Sequence, residues 1–206
     1  MKQLPTWPYP LRDWQQSFFD RYTSEEKENF LLVATPGAGK TISALQIAHD
    51  LLSNFTVSQI VVVCPTDHLR NQWRGDATGV GIDLNNLEIN WSDDIAVSSD
   101  YVGLITTYAQ VMSNIERLKV YLSRGKTLVI FDEIHHCGDE ENLRWGIAVR
   151  EAFGPDESGR HRRLLLSGTP FRTDNNPIPF VRYTENGHKL RFCPTGFGGL
   201  RSCLGS

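Results

Sequence analysis

The stretch ATPGAGKT, from Ala34 to Thr41, follows the apolar run FLLV and precedes a segment with helical spacing. This order predicts a strand, a glycine-containing loop and a helix. The glycines at positions 37 and 39 let the loop turn so that successive backbone N–H groups face one point. The N-terminus of the following helix adds its partial positive charge there, which favours a bound phosphate group.

The loop fits the phosphate-binding pattern GxxxxGK[ST] with one relaxation, because Ala34 replaces the first glycine. In this pattern Lys40 supplies a charge for the β- and γ-phosphates of ATP, and Thr41 supplies a hydroxyl ligand for Mg²⁺. The alternative is an ordinary glycine turn before a helix. The motifs further along the chain disfavour that alternative.

The composition indicates an ordinary globular protein. The chain has 206 residues, of which 40% are hydrophobic and 22% charged, and this length suits one large domain or two small ones. No apolar run reaches the length of a membrane span, and the N-terminal sequence lacks the apolar core of a signal peptide. We therefore expect a cytoplasmic protein without a membrane partner.

The net charge gives no sign of a nucleic-acid partner, and the cysteine spacing gives no sign of a disulfide framework or a zinc site. The net charge is −3 and the isoelectric point about 6.1, so nucleic-acid binding would need a local basic face. The four cysteines show no CxxC spacing. A disulfide framework or a structural zinc site is therefore disfavoured.

Apolar runs that read as buried strands alternate with segments of helical spacing. The predicted strands cover 30–33, 60–64, 101–105, 127–131 and 164–166, and one long helix is predicted from Tyr108 to near Gly125. This alternation predicts an α/β fold, a mostly parallel sheet with helices on both faces and active groups at the carboxyl ends of the strands. Residues from 171 onward show no sustained period and predict a loosely packed extension.

The sequence VIFDEIHH delivers two carboxylates to the end of a buried strand. Asp132 is the natural partner of Mg²⁺, and Glu133 is placed to orient or deprotonate the water that attacks the γ-phosphate. We expect this pair to meet Lys40 and Thr41 across neighbouring strand tips. A pair of acids in a solvated turn is the alternative.

Two further groups follow these carboxylates. His135, His136 and Cys137 suggest a zinc site, but adjacent histidines point apart and no second ligand cluster follows, so we favour a coupling role for His135 beside the γ-phosphate. The turn SGTP follows the strand 164–166. Its hydroxyls, Ser167 and Thr169, can bond to the acidic cluster and relay the state of the nucleotide.

Taken together, these motifs resemble the first, N-terminal RecA-like ATPase domain of a superfamily 2 helicase of the DEAD/DEAH-box group. The chain is similar in particular to XPB-like proteins and the motor subunits of restriction enzymes. The resemblance covers about residues 11–172. It rests on the motifs LRDWQ, ATPGAGKT, VVVCPTDHLRNQW, LITTYAQV, DEIHH and SGTP in that order.

The resemblance implies a role for each matching residue. Adenine would be read by Arg12 and Gln15, and the nucleotide loop would comprise Thr35, Pro36, Gly37, Ala38, Gly39, Lys40 and Thr41. The catalytic set would be Lys40, Asp132, Glu133 and His135, with Mg²⁺ held by Thr41 and Asp132. Nucleic-acid contacts would come from Pro65, Thr66, Leu69, Gln72, Thr107 and Tyr108.

The resemblance also implies ATP hydrolysis coupled to movement along nucleic acid, with DNA favoured over RNA. A motor of this type needs a second RecA-like domain, and the residues after Pro170 show no pattern for one. We therefore expect hydrolysis only with a second domain or protein supplied in trans. The alternatives are a nucleotide-dependent binding module without net catalysis and, less favoured, a small P-loop kinase.

Three segments follow from these patterns. We expect an N-terminal arm and helix with the adenine-reading motif at 1–30, a RecA-like ATP-binding domain at 31–172, and an irregular extension at 173–206. The last segment is unlike a continuation of the family. A truncated gene and a shifted reading frame are both open explanations.

Overall fold

A single parallel sheet of six strands organises the described part of the chain. The strands are β1 Asn29–Val33, β2 Gln59–Cys64, β3 Leu84–Asn86, β4 Gly103–Thr107, β5 Thr127–Phe131 and β6 His161–Ser167. They lie in the order β1-β6-β5-β2-β4-β3, and every neighbouring pair is parallel. The predicted α/β class and parallel sheet are confirmed.

The computed structural model describes residues 4–25, 27–86, 100–137, 143–154, 159–169, 178–181, 183–186 and 189–192. The end of the SGTP turn and the predicted boundary at residue 172 lie outside these ranges, as does most of the segment 173–206. Within the described ranges, no helix is long and apolar enough to cross a bilayer.

Helices cover both faces of the sheet. They are α1 Asp13–Glu25, α2 Lys40–Ser53, α3 Asp67–Thr78, α4 Tyr108–Ser113, α5 Ile115–Leu122 and α6 Leu143–Ala152. Alternate residues of β2 show why two faces need cover: Ile60 and Val62 belong to the hydrophobic core on one side, and Val61 and Val63 to the core on the other. Since side chains alternate along a strand, a central strand buried on both faces needs a continuous apolar run.

The prediction of a single helix from Tyr108 to near Gly125 is wrong, because the structure has two helices that meet at Asn114. The backbone of Asn114 leaves the helical region at φ −135° and ψ 26°. Its side-chain amide donates to the carbonyl of Gln110 at 2.9 Å. An asparagine side chain that bonds to nearby backbone offers an alternative to the helical ladder, so the chain turns here.

Two sheet elements were not predicted. Strand β3 has three residues at the sheet edge, too few to show a hydrophobic period. Strands β7 Tyr183–Asn186 and β8 Lys189–Phe192 form a separate antiparallel pair within the predicted irregular extension. The sequence Asn186-Gly187 is a strong hairpin signal, and it could have indicated this pair.

The N-terminal arm packs across α2 and the turn before β3. The carbonyl of Pro5 lies 2.7 Å from Nε2 of His49, and the Trp7 ring meets the His49 ring edge to face at 5.5 Å. A carbonyl accepts only, so Nε2 of His49 carries the proton. The arm thereby leads the chain into α1, whose first turn approaches the glycine loop.

Candidate nucleotide-binding site

The loop between β1 and α2 has the backbone that the glycine pattern predicts. Gly37 and Gly39 have φ angles of 75° and 101°, which are favourable for glycine and strained for other residues. Helix α2 begins at Lys40, and Gly39 at its N-cap provides no side-chain cap. The N–H groups of the first turn are therefore left for a ligand, as at anion-binding helix N-termini.

Lys40 lies at the centre of the site, with its side chain 8% exposed. Its ammonium donates to the carbonyl of Ala34 at 3.0 Å and lies 2.9 Å from Oε1 of Glu133. Thr41 follows in the first turn of α2 and is half-buried. The loop lysine and the acidic turn after β5 are therefore in direct contact.

Strand order corrects one detail of the prediction. Strands β1 and β5 are not neighbours, because β6 lies between them and pairs with both. The backbone N–H of Ala34 donates to the carbonyl of Ser167 at 3.1 Å, so the loop and the SGTP turn are joined directly. The turn after β6 thus lies between the glycine loop and the acidic turn.

The central turn connects to the acidic turn through a short chain of hydrogen bonds. The N–H of Gly168 donates to Oε2 of Glu133 at 3.2 Å, and Oγ of Ser167 lies 2.9 Å from Nδ1 of His135. Since the Ser167 hydroxyl donates its one proton to the Thr169 carbonyl at 2.6 Å, Nδ1 of His135 is the donor to Ser167. The same nitrogen lies 3.3 Å from Oε2 of Glu133.

Asp132 is fixed from three directions. Its backbone N–H donates to the carbonyl of Val63 at 2.8 Å, and its own carbonyl accepts the hydroxyl of Tyr108 at 2.8 Å. Its Oδ2 accepts the indole N–H of Trp73 at 2.8 Å. Burial raises the pKa of Asp132, the Trp73 hydrogen bond opposes that rise, and the charge of Glu133 adds to it.

The backbone of Glu133 is left-handed, with φ 47° and ψ 49°. This region is uncommon for residues with a side chain and persists where surrounding contacts impose it. Here the Tyr108 hydroxyl holds the peptide group that precedes Glu133. The resulting backbone aims the Glu133 carboxylate at Lys40 and Gly168.

Arg12 and Gln15, the predicted adenine readers, lie against the helix end of the loop. The amide of Gln15 donates to the Gly39 carbonyl at 3.2 Å and accepts from the Arg12 N–H at 2.9 Å. The Arg12 guanidinium donates to the Ala38 carbonyl at 3.2 Å. The structure therefore brings α1 to the loop, and Gln15 is buried as a brace of that loop.

The predicted nucleic-acid residues fall into two groups at the carboxyl edge of the sheet. Thr66 and Gln72 are exposed on and beside α3, while Pro65 and Leu69 are half-buried. Thr66 caps α3 by accepting from the Leu69 N–H. The second group, at the start of α4, is buried.

Tyr108, one of the predicted nucleic-acid contacts, is a core residue. It is fully buried and stacks on Trp145 at 5.8 Å. Thr107 is also buried, and it forms a reciprocal capping box with Gln110. The register of β4 and the cap of α4 turn both side chains inward.

Sequence reasoning gave no role to Trp73 or to the Tyr108 hydroxyl. The spacing of Leu69 and Trp73 on α3 predicts a buried face, but it cannot identify the partner of an indole N–H. Among the described residues, no three His, Cys, Asp or Glu side chains form a group suited to a metal ion on their own. A Mg²⁺ ion here would need the Thr41 hydroxyl and phosphate oxygens beside Asp132.

Residues 8–172 match the family described as the Type III restriction enzyme, res subunit. The chain belongs to this family. It is 48% identical over 174 residues to an uncharacterized protein of Mycobacterium tuberculosis, which covers 84% of this chain and 28% of that protein. An uncharacterized protein of Mycobacterium leprae is 45% identical over 181 residues, covering 88% of this chain and 29% of that protein.

Solved structures with the same fold include an ATPase core and a helicase domain. The Sulfolobus solfataricus SWI2/SNF2 ATPase core in complex with dsDNA matches with a TM-score of 0.61 at 21% identity, covering 82% of this chain and 35% of that chain. The Pyrococcus furiosus Hef helicase domain gives a TM-score of 0.59 at 19% identity, covering 79% and 34%. The family and this fold identify a helicase-type, N-terminal RecA-like domain, and the chain spans less than a third of the length of the two mycobacterial relatives.

Proposed function

We propose that this chain is the ATP-binding motor domain of a helicase or translocase that acts on DNA. The observation that carries the proposal is the 2.9 Å contact between Lys40 of the glycine loop and Glu133 of the acidic turn. It joins the predicted phosphate-binding and water-activating groups at one edge of the sheet. Open α/β sheets bind their ligands at this carboxyl edge.

The donor set fits a magnesium-bound triphosphate. The uncapped first turn of α2 and the Lys40 ammonium are suited to phosphate oxygens. The Thr41 hydroxyl and the Asp132 carboxylate are hard oxygen ligands of the kind Mg²⁺ takes, with the remaining positions left to phosphate and water. When bound, Mg²⁺ would neutralise charge on the β- and γ-phosphates.

Glu133 is the general base of the proposed hydrolysis. One of its oxygens pairs with Lys40, and the other accepts the Gly168 N–H and faces His135. A phosphate group that engages Lys40 would compete with Glu133 for the ammonium and free that carboxylate oxygen for water. His135 and Ser167 then link the base to the central SGTP turn.

Two considerations favour nucleic acid as the partner and DNA as its type. Residues Pro65, Thr66, Leu69 and Gln72 lie at the same carboxyl edge as the nucleotide site, with Thr66 and Gln72 exposed. The SWI2/SNF2 structure of the same fold is a complex with dsDNA. Coupling between the two sites would pass through β2 and α3, which adjoin both.

Hydrolysis at a useful rate would require a second RecA-like domain, in the same polypeptide or in trans. Such a domain closes the site and contributes an arginine finger, whose contribution to the rate is typically about 10³–10⁵-fold. We therefore expect ATP binding by the 206-residue chain and slow hydrolysis until that domain is added.

Equilibrium binding of ATP with Mg²⁺ tests the proposal. The wild-type chain should bind, and Lys40→Ala should lose most of the affinity because the charge facing the phosphates is gone. Lys126→Ala is the matched control, since Lys126 is exposed and precedes β5 at the opposite edge of the sheet. Undiminished ATP binding by Lys40→Ala would overturn the proposal.

ATPase assays with and without DNA or RNA separate the motor from a binding module. A motor predicts hydrolysis that DNA stimulates once a second RecA-like domain is supplied. Tight Mg-ATP binding with no stimulated turnover under those conditions would favour the nucleotide-dependent binding module. Stimulation by RNA but not by DNA would show that the partner is RNA instead of the proposed DNA.

A further inference from the structure

We propose that Trp73 is a positioning residue for the magnesium-binding carboxylate of Asp132. Its indole N–H holds Oδ2 of that carboxylate at 2.8 Å, which reserves Oδ1 for the metal ion. The inference rests on the proposed function, because it concerns the same nucleotide site. It assigns a role to a residue outside the predicted catalytic and binding sets.

Burial makes this hydrogen bond a fixed feature of the site. Trp73 is 1% exposed and Asp132 is 7% exposed, so water competes little for either partner. A hydrogen bond to an ionised group in such surroundings is stronger than a neutral one. The carboxylate is therefore held in one rotational orientation before any ligand arrives.

The fold explains how residues 59 positions apart in the chain come together. Strands β2 and β5 are parallel neighbours, and the N–H of Asp132 extends their ladder by donating to the Val63 carbonyl at 2.8 Å. Helix α3 follows β2 directly and packs against β2 and β4. Trp73, on the buried face of α3, thus reaches the first residue after β5.

The chemistry of indole suits this role. The indole nitrogen donates one hydrogen bond, accepts none and keeps its proton at any physiological pH. It can therefore orient a carboxylate without competing for the metal ion or supplying a proton. Groups that orient metal ligands in this way commonly contribute about 10–100-fold to metal affinity.

Trp73 lies on the helix that carries the predicted nucleic-acid contacts Leu69 and Gln72, and it also contacts the proposed metal ligand Asp132. Gln72, the preceding residue on α3, is exposed to solvent, whereas Trp73 contacts Asp132. A displacement of α3 by nucleic acid would move the indole relative to the carboxylate. Trp73 is therefore the contact through which α3 would influence the metal ion.

The magnesium dependence of ATP binding tests this role in the 206-residue chain. Trp73→Phe removes the N–H and keeps an aromatic ring. We expect the Mg²⁺ concentration for half-maximal ATP binding to rise by about 10–100-fold, with ATP affinity in EDTA little changed. Trp7→Phe, in the N-terminal arm packed on His49, is the control and should leave both values unchanged.

The outcomes separate the role of Trp73 from the proposed function. If the wild type fails to bind Mg-ATP, the proposed function fails. If it binds but Trp73→Phe shows the same Mg²⁺ dependence, or loses affinity equally in EDTA, Trp73 has a structural role only and the inference is overturned.

A second measurement needs no variant and covers the case in which Trp73→Phe does not fold. In the wild-type protein, the assigned indole ¹H–¹⁵N resonance of Trp73 should shift when ATP and Mg²⁺ are added together. It should shift less with ATP in EDTA, because the metal ion acts on the hydrogen-bonded carboxylate. If the Trp73 indole resonance does not shift when Mg²⁺ is added in the presence of ATP, the inference is overturned.

Discussion

The ammonium of Lys40 lies 2.9 Å from Oε1 of Glu133, so the lysine of the glycine loop and the acid after β5 form an ion pair across the tip of β6. Both groups are largely shielded from solvent, with 8% and 22% of their side chains exposed. An ATP phosphate that binds Lys40 would have to compete with this pair. The pair therefore connects nucleotide binding to release of the proposed base.

Glu133→Gln should separate ATP binding from hydrolysis. The neutral amide holds Lys40 less strongly, so ATP affinity should stay equal or rise. Loss of the base should slow hydrolysis by about 10²–10⁴-fold, measured in single-turnover assays with DNA and a second RecA-like domain. Glu116→Gln, which alters an exposed glutamate paired with Lys119, should change neither quantity. Normal hydrolysis by Glu133→Gln would show that Glu133 is not the general base.

Gly39→Ala should impair ATP binding more than Gly37→Ala. A Cβ at position 39 would lie 2.8 Å from Nε2 of Gln15 at a φ of 101°, whereas a Cβ at position 37 meets nothing within 4 Å at a φ of 75°. The strained backbone costs about 1–3 kcal/mol, and only position 39 adds the clash with the brace of the loop. Titration with Mg-ATP measures the difference. Equal losses would show that the clash does not matter.

Tyr108→Phe should lower the free energy of unfolding by about 1–3 kcal/mol. The change leaves the ring stacked on Trp145 but removes the donor to the buried carbonyl of Asp132. Urea denaturation monitored by circular dichroism measures the loss. Tyr9→Phe, at a tyrosine 44% exposed, is the control and should be neutral. Unchanged stability in Tyr108→Phe would mean that this hydrogen bond contributes little.

The thiol of Cys64 should resist alkylation in the folded protein. Burial raises its pKa to about 12, and the charge of Asp132 adds to that rise. A raised pKa favours the protonated thiol, while the thiolate is the reactive form. Peptide mapping after iodoacetamide treatment at pH 8 should find Cys64 unmodified, with labelling only in denaturant. Rapid labelling of Cys64 in the native state would contradict this environment.

Local sequence patterns were sufficient to predict the strands and the loop of the nucleotide site. Two glycines before Lys40 predicted a loop that turns inward, and both have positive φ angles in the structure. A β-branched run predicted the doubly buried strand β2. These features could be read because each depends on residues that adjoin in the chain.

The sequence did not reveal where helices break or which polar groups meet across the sheet. Asn114 bonds through its side chain to the last turn of α4 and precedes α5 without a side-chain cap, which propensity alone does not distinguish from an exposed helical asparagine. Tyr108, a predicted nucleic-acid contact, is buried against Trp145. The burial of Tyr108 depends on how α4 and α6 pack.

By itself, the sequence determined the glycine loop, the acidic turn, the parallel α/β class and the family, because these follow from local backbone preferences and hydrophobic period. Only the tertiary structure decided that β6 lies between the loop and the acidic turn, and that Trp73 holds Asp132. Strand order and the partner of a buried indole join residues far apart in the chain. Such contacts arise from the packing of whole elements, which no short stretch of sequence encodes.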